Sequence, residues 1–166
     1  MKKAVLFFLI LLGADVAVKI LSLHFVPSMA PKFFGYPYGG IPIFTCGGIT
    51  FSLNTIVNSG AAWGVFQGHP GLLFMVRAAI VAGLISYLLF FNRGKSPTVS
   101  LWPLWLVVVG AIGNGIDYLV YGHVIDFFHF CFWGTSFPIF NLADCYITIG
   151  VLSLLLFSQR VQTKPI

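Results

Sequence analysis

Four long apolar stretches set what this chain can fold into: residues 4–23, 71–91, 99–120 and 138–158. Each approaches the roughly 20 residues that cross a bilayer core. In that medium every backbone N–H and C=O must be paired inside the segment, so helices are the available solution. Pro103 falls in the first turn of the third stretch, where its missing N–H costs little. Charged residues make up 8% of the chain and mean hydropathy is +0.97, against about 25% charged in soluble domains. Residues 1–166 therefore read as one integral membrane domain, an α-helical membrane fold with four transmembrane helices.

The basic residues orient these spans. Lys2 and Lys3 precede the first, Arg93 and Lys95 lie between the second and third, and Arg160 and Lys164 follow the fourth. Four crossings put all three groups on one side, so both termini are expected in the cytoplasm. The net charge of +5 then reads as a topology signal and not as a nucleic-acid footprint. A cleaved signal peptide would share the basic start and apolar core. Against it, Asp15 and Lys19 continue the pattern, and its removal would leave an odd number of spans.

Two longer loops, about 24–70 and 121–137, face outward on this topology. The first opens with a Pro-, Gly- and aromatic-rich stretch expected to be irregular. "GGITFSLNTIVN", 47–58, reads as one or two strands, and "GAAWGVFQ", 60–67, as a short interfacial helix. The odd cysteine count leaves a Cys46–Cys131 disulfide open.

The acids carry the most information. There are four, all Asp: Asp15, Asp117, Asp126 and Asp144. None lies in a hydrophilic loop, and ionisable groups within apolar segments are rare and usually functional. Asp15 and Lys19 share a face in the outer half of span one. Asn114 and Asp117 fall near the outer end of span three. Asn141 and Asp144 fall near the outer end of span four, with Asp144 roughly 9 Å below Pro138 at 1.5 Å per residue. Asp126, in "HVIDFFHF", belongs to a loop too apolar to be solvated and expected to dip against the bundle. Asn58 lies on the outer side as well. All four carboxylates thus converge at one depth.

Carboxylates held a few ångströms apart cannot all ionise, so a pair becomes an acid and a base together. That suits aspartic-type peptide hydrolysis, with no metal or nucleophilic side chain. The plainer reading of one Asp is a structural ion pair or helix cap. It fits Asp15, beside Lys19, better than Asp126 or Asp144, which have no basic neighbour in sequence. The Asn residues either satisfy neighbouring backbone or orient the acids.

Other chemistries fit less well. A proton-coupled transporter would spread carboxylates through the membrane depth. A Ser/Lys protease using Ser59 or Ser22 needs a neutral Lys19, which Asp15 opposes. A zinc site from His123, His129 and Cys131 has loose spacing. A scaffold has no need of four acids at one level.

At these residues the sequence resembles the lipoprotein signal peptidases, also called signal peptidase II. The matching blocks are Asp15 with Lys19, "NSGAAWG" at 58–64, "GAIGNGID" at 110–117, "VIDFF" at 124–128 and "FNLAD" at 140–144. The resemblance implies an intramembrane aspartyl endopeptidase of the bacterial inner membrane. Such enzymes remove signal peptides from prolipoproteins, cutting just before a Cys that carries diacylglycerol. It implies Asp126 and Asp144 as the catalytic pair. Asn58, Gly60, Asn114, Asp117 and Asn141 would shape the site and hold substrate, with Asp15 and Lys19 in support. It implies a small extracytoplasmic β-sheet beside the helices and an active site at the outer leaflet. Membrane lipid and prolipoprotein are the expected partners; no cofactor, metal or nucleic acid is, and a monomer is expected. Two departures stand out. Tyr118 occupies a position where the family usually has Arg, with Lys32 or Arg77 as candidate replacement cations, and the 24–50 loop is long.

Overall fold

A computed structural model describes residues 2–28, 40–58, 70–91 and 101–158. The elements run α1 (Lys2–Phe25), β1 (Ile41–Cys46), β2 (Ile49–Asn58), α2 (Pro70–Ser86), α3 (Trp102–Tyr121), β3 (Val124–Phe132), β4 (Thr135–Ser136) and α4 (Leu142–Ser158). A π-helical turn, Tyr87–Phe91, extends α2. Two helical segments, Val5–Phe25 and Trp102–Tyr121, are long and apolar enough to cross a membrane; the apolar segments Phe74–Ser86 and Leu142–Leu156 are shorter. The interfacial helix read at 60–67, together with Gly60, Ser59 and Lys32, lies outside the described residues.

The helices bury polar groups inside and expose apolar side chains outside. On α1, Asp15, Lys19 and Ser22 are buried, spaced four and three apart on one stripe, while Leu6, Ile10, Leu21 and Phe25 are exposed. Leu119 on α3 and Leu156 on α4 are exposed at 72% and 68%. A soluble protein does the reverse. This arrangement is stable when the surrounding solvent is apolar.

α3 packs closely on α4, and glycine makes the approach possible. A Cβ on Gly110 would run into the Ala143 carbonyl, and one on Gly113 into the Asp15 carboxylate. α3 begins with Pro103 in its first turn, as expected, and ends on Gly122 in the left-handed region (φ 76°), whose N–H bonds to the Tyr118 carbonyl at 2.9 Å.

Three sequence readings need correction. Residues 41–44, assigned to an irregular loop, belong to β1; Pro42 hid it, yet β1 is an edge strand, where a missing donor is tolerated. Residues 124–132 form a strand and not a loop dipping against the bundle. The four strands make one antiparallel sheet in the order β1-β2-β3-β4. Finally, α4 starts at Leu142 and not Pro138, so Asp144 lies within the first turn instead of roughly two turns down. Cys46 and Cys131 are both free.

The register of the sheet decides which side chains share a face with Asp126. Leu53 pairs with Phe128 but Ile56 pairs with Asp126, so β2 carries one extra residue between them. Side chains alternate faces along a strand, and this bulge flips the alternation. It brings Ile56 and Asn58 onto the face of β3 that carries Val124 and Asp126.

Candidate active site

Two polar clusters meet where α1, α3, α4 and the sheet converge. The first is centred on Lys19, which is 1% exposed. Its Nζ lies 2.9 Å from Asp15 Oδ2 and 2.8 Å from Asp117 Oδ2, and donates to Asn114 Oδ1 at 3.0 Å. All three ammonium donors are therefore used. The carboxylates also serve the backbone. Asp15 Oδ1 accepts the Ala143 N–H at 2.9 Å, one of the unpaired donors at the start of α4. Asp117 Oδ2 accepts the Ile125 N–H at 3.2 Å and so pins the start of β3 to α3.

The second cluster holds Asp126 and Asp144, and among the described residues no cation touches either. Asp126 Oδ1 accepts from Asn141 Nδ2 at 2.7 Å, and Oδ2 from Asn58 Nδ2 at 2.8 Å. Asp144 Oδ1 accepts from Asn114 Nδ2 at 2.8 Å, and Oδ2 from the Asn141 backbone N–H at 3.2 Å. The Asp144 N–H donates in return to Asn141 Oδ1 at 3.0 Å. Asn141 and Asp144 thus form a reciprocal cap at the N-terminus of α4. This explains the three-residue spacing of "NLAD". The same spacing in "NGID" has another cause: one helical turn lets Asn114 and Asp117 both reach Lys19.

The amides are locked in orientation. Lys19 can only donate, so Asn114 turns its oxygen to the ammonium and its nitrogen to Asp144. Asn141 spends its oxygen on the Asp144 N–H, so its nitrogen faces Asp126, Asn114 Oδ1 (3.0 Å) and the Ile125 carbonyl (3.2 Å). Asp126 is fixed from both sides along the chain: before it, Ile125 N–H bonds to Asp117, and after it, Phe127 N–H and Phe128 N–H both bond to the Phe140 carbonyl, at 3.1 and 2.8 Å.

Burial, followed by the neighbouring Asp144 charge, pushes the Asp126 carboxyl up from 3.8 to about 7; the Asn58 and Asn141 hydrogen bonds oppose this. Asp126 is 2% exposed and Asp144 half-buried. A pair of carboxyls of which one holds its proton near neutrality can supply an acid and a base together.

The structure brings Asp15, Lys19, Asn58, Asn114, Asp117, Asp126, Asn141 and Asp144 into one network; Gly60 lies outside the described residues. Sequence reasoning placed Asp117 with the site but missed that it shares Lys19 with Asp15. It also missed the backbone strap from β3 to Phe140, for which the sequence carries no signal. Ser22 bonds to Thr55 Oγ1 at 2.7 Å, and Lys19 is held by two carboxylates, so among the described residues there is no Ser/Lys pair. His129 is buried between Asn54 (3.2 Å) and Ser136 (2.8 Å), and among the described residues no group of three His, Cys, Asp or Glu could hold a metal ion. Tyr118 stacks on Phe74 of α2, with ring centroids 4.8 Å apart and planes at 19°.

Residues 7–160 match the family model described as signal peptidase (SPase) II. The chain is 38% identical over 118 residues to the lipoprotein signal peptidase of Chlamydia pneumoniae, covering 71% of this chain and 69% of that protein. It is 38% identical over 111 residues to the enzyme of that name from Bacillus pumilus, covering 67% and 69%. With the one from Synechocystis it shares 42% over 107 residues, covering 63% and 62%. A bacterial membrane enzyme solved at 2.3 Å superposes with a TM-score of 0.74 at 23% identity, covering 99% of this chain and 93% of that one, so the fold is shared.

Proposed function

Because the chain belongs to the signal peptidase II family, we propose that it is an intramembrane aspartic endopeptidase with Asp126 and Asp144 as its catalytic pair. Its substrates on this reading are prolipoproteins bearing a diacylglyceryl Cys, cut on the N-terminal side of that residue. One observation carries the reading. Of the four carboxylates, these two are held, among the described residues, by amide donors, while the other two pair with Lys19.

The chemistry rests on the pair. Asp126, with its carboxyl raised to about 7, holds the proton near neutral pH. Asp144 takes a proton from a water molecule as that water adds to the scissile carbonyl carbon. Asp126 donates toward the carbonyl oxygen as negative charge develops there. Collapse of the tetrahedral intermediate breaks the C–N bond, and the proton taken from water leaves on the new amine. The pair shares these roles, so its apparent pKa values belong to both residues.

The apolar exteriors of the helices suit four crossings, with residues 1–166 acting as one membrane-embedded unit of the bacterial inner membrane. The basic residues at the chain ends and between α2 and α3 favour cytoplasmic termini and an active site at the outer leaflet. A lipidated Cys requires that depth, since its acyl chains stay in the bilayer while the scissile bond reaches the carboxyls.

The test is cleavage of a diacylglyceryl-modified prolipoprotein by purified wild-type, Asp126→Asn and Asp144→Asn protein, with and without chelator. Chelator-insensitive cleavage before the lipidated Cys, lost in both variants, is the expected result. Full activity in either variant, or loss on chelation, would sink the aspartic reading.

A further inference from the structure

Among the described Lys and Arg side chains, Lys19 has three partners and Arg77 has none. Arg77 sits on α2, seven residues past Pro70 and so about 10 Å along the axis. It is half-buried and belongs to a stripe with Phe74, Val81, Leu84 and Leu88, the more buried positions of that helix. Phe74 marks the side that faces α3, through its stack on Tyr118. One turn before Tyr118, a side chain on Gly115 would meet nothing within 4 Å among the described residues. The Phe74–Tyr118 contact is therefore neighboured by a cation on one helix and by open space on the other.

A guanidinium in a site like this needs a counter-ion. The chain cannot supply one from a side chain. It has four acids; Asp15 and Asp117 are paired with Lys19, and Asp126 and Asp144 are held in the amide cluster. The anion must come from outside. The long side chain leans toward the N-terminal, outer end of α2 and can rise to headgroup level, where the available anion is the phosphate of a phospholipid, whose oxygens match the fork of the guanidinium.

We propose that Arg77 and the space beside the Phe74–Tyr118 contact form a binding site for the phosphate of an anionic phospholipid. The site lies beyond the peptidase reading, and its test uses no cleavage. Full-length wild-type protein, Arg77→Lys and Arg77→Leu are purified in zwitterionic detergent. Each is titrated with short-chain phosphatidylglycerol, with phosphatidylcholine of the same chain length, and with inorganic phosphate. Adducts are counted by native mass spectrometry and Tm is followed alongside. Wild type is expected to retain one phosphatidylglycerol and to gain Tm on binding it. Arg77→Lys binds more weakly because an ammonium cannot make the paired bonds, and Arg77→Leu by about tenfold or more. Without anionic lipid, Arg77→Leu is expected to melt above wild type, having lost an uncompensated charge. Equal phosphatidylglycerol affinity in wild type and Arg77→Leu would overturn the site. So would phosphatidylcholine serving wild type as well as phosphatidylglycerol, a result that stands even if the Leu variant fails to fold. A Tm gain from inorganic phosphate alone would overturn the lipid assignment.

Discussion

The two clusters of carboxylates lie side by side, share Asn114 as a common member, and are built on different principles. Around Lys19, two Asp residues and an amide saturate one ammonium, and every participant is buried. Around Asp126 and Asp144 no described cation makes contact, and each carboxylate faces amide donors instead. The ammonium ties its carboxylates into fixed ion pairs. Neutral amides hold geometry while leaving the proton free to come and go. The difference separates an arrangement that fastens α1, α3 and α4 together from one suited to moving protons.

Replacing either member of the proposed pair should break the comparison most sharply. Asp126→Asn and Asp144→Asn are each expected to lower kcat for prolipoprotein cleavage by about 10²–10⁴-fold, with little loss of folded protein. Lys19→Met should do the opposite. It leaves Asp15 and Asp117 buried without a counter-charge, a loss of about 3–5 kcal/mol in stability. The yield of folded protein and its Tm in detergent would show this, and a Lys19→Met protein as stable as wild type would erase the distinction between the clusters.

How far this was legible in the sequence differs between the regions. The Asp15–Lys19 pair is local, one turn of a helix, and reads directly from spacing. The convergence of Asp126 on Asp144 could be expected from depth alone, but its means could not. β3 escaped notice because "VIDFFHFCF" does not alternate polar with apolar. Phe128 and Phe130 pack with Phe51 and Phe140 on one face, while the other carries Ile125, Phe127 and His129, so both faces are covered and the two-residue period vanishes. The start of α4 was misplaced because "SFPIF" is as apolar as the helix after it. Asn141 as a cap was the available signal, and hydropathy outweighed it.

Asn141 belongs to both functions, and substitutions can divide them. Asn141→Ala loses the cap of α4, about 1 kcal/mol, together with the donor to Asp126. Asn141→Ser keeps an oxygen that can accept the Asp144 N–H but has no amide nitrogen. Ser is therefore expected to restore most of the Tm and little of the activity. Recovery of both in parallel would mean that Asn141 serves only as a cap.

Proton linkage gives a smaller effect with a definite sign. Asp126 binds its proton more tightly in the folded state, at about 7, than at the ordinary value of 3.8. Between those values the native state holds a proton that the unfolded chain has released, so stability falls as pH rises through this window and levels off above it. In Asp126→Asn that component of the fall should be absent. Melting curves from pH 4 to 8 would compare the two slopes, and equal slopes would place the raised carboxyl elsewhere.

The finest test concerns Asn58, which the bulge in β2 places against Asp126 Oδ2 at 2.8 Å. Its hydrogen bond favours the ionised form and holds the carboxyl below where burial alone would set it. Asn58→Ala should therefore move Asp126 further upward. The alkaline limb of kcat/KM, where the pair loses its working proton, should shift to higher pH with only a modest loss at the optimum. Asn114→Ala removes a donor from Asp144 and none from Asp126, so it should lower the rate without that upward shift. If the two alanine variants moved the limb equally, Asp126 would not be the carboxyl whose proton the reaction spends, and the roles within the pair would have to be exchanged.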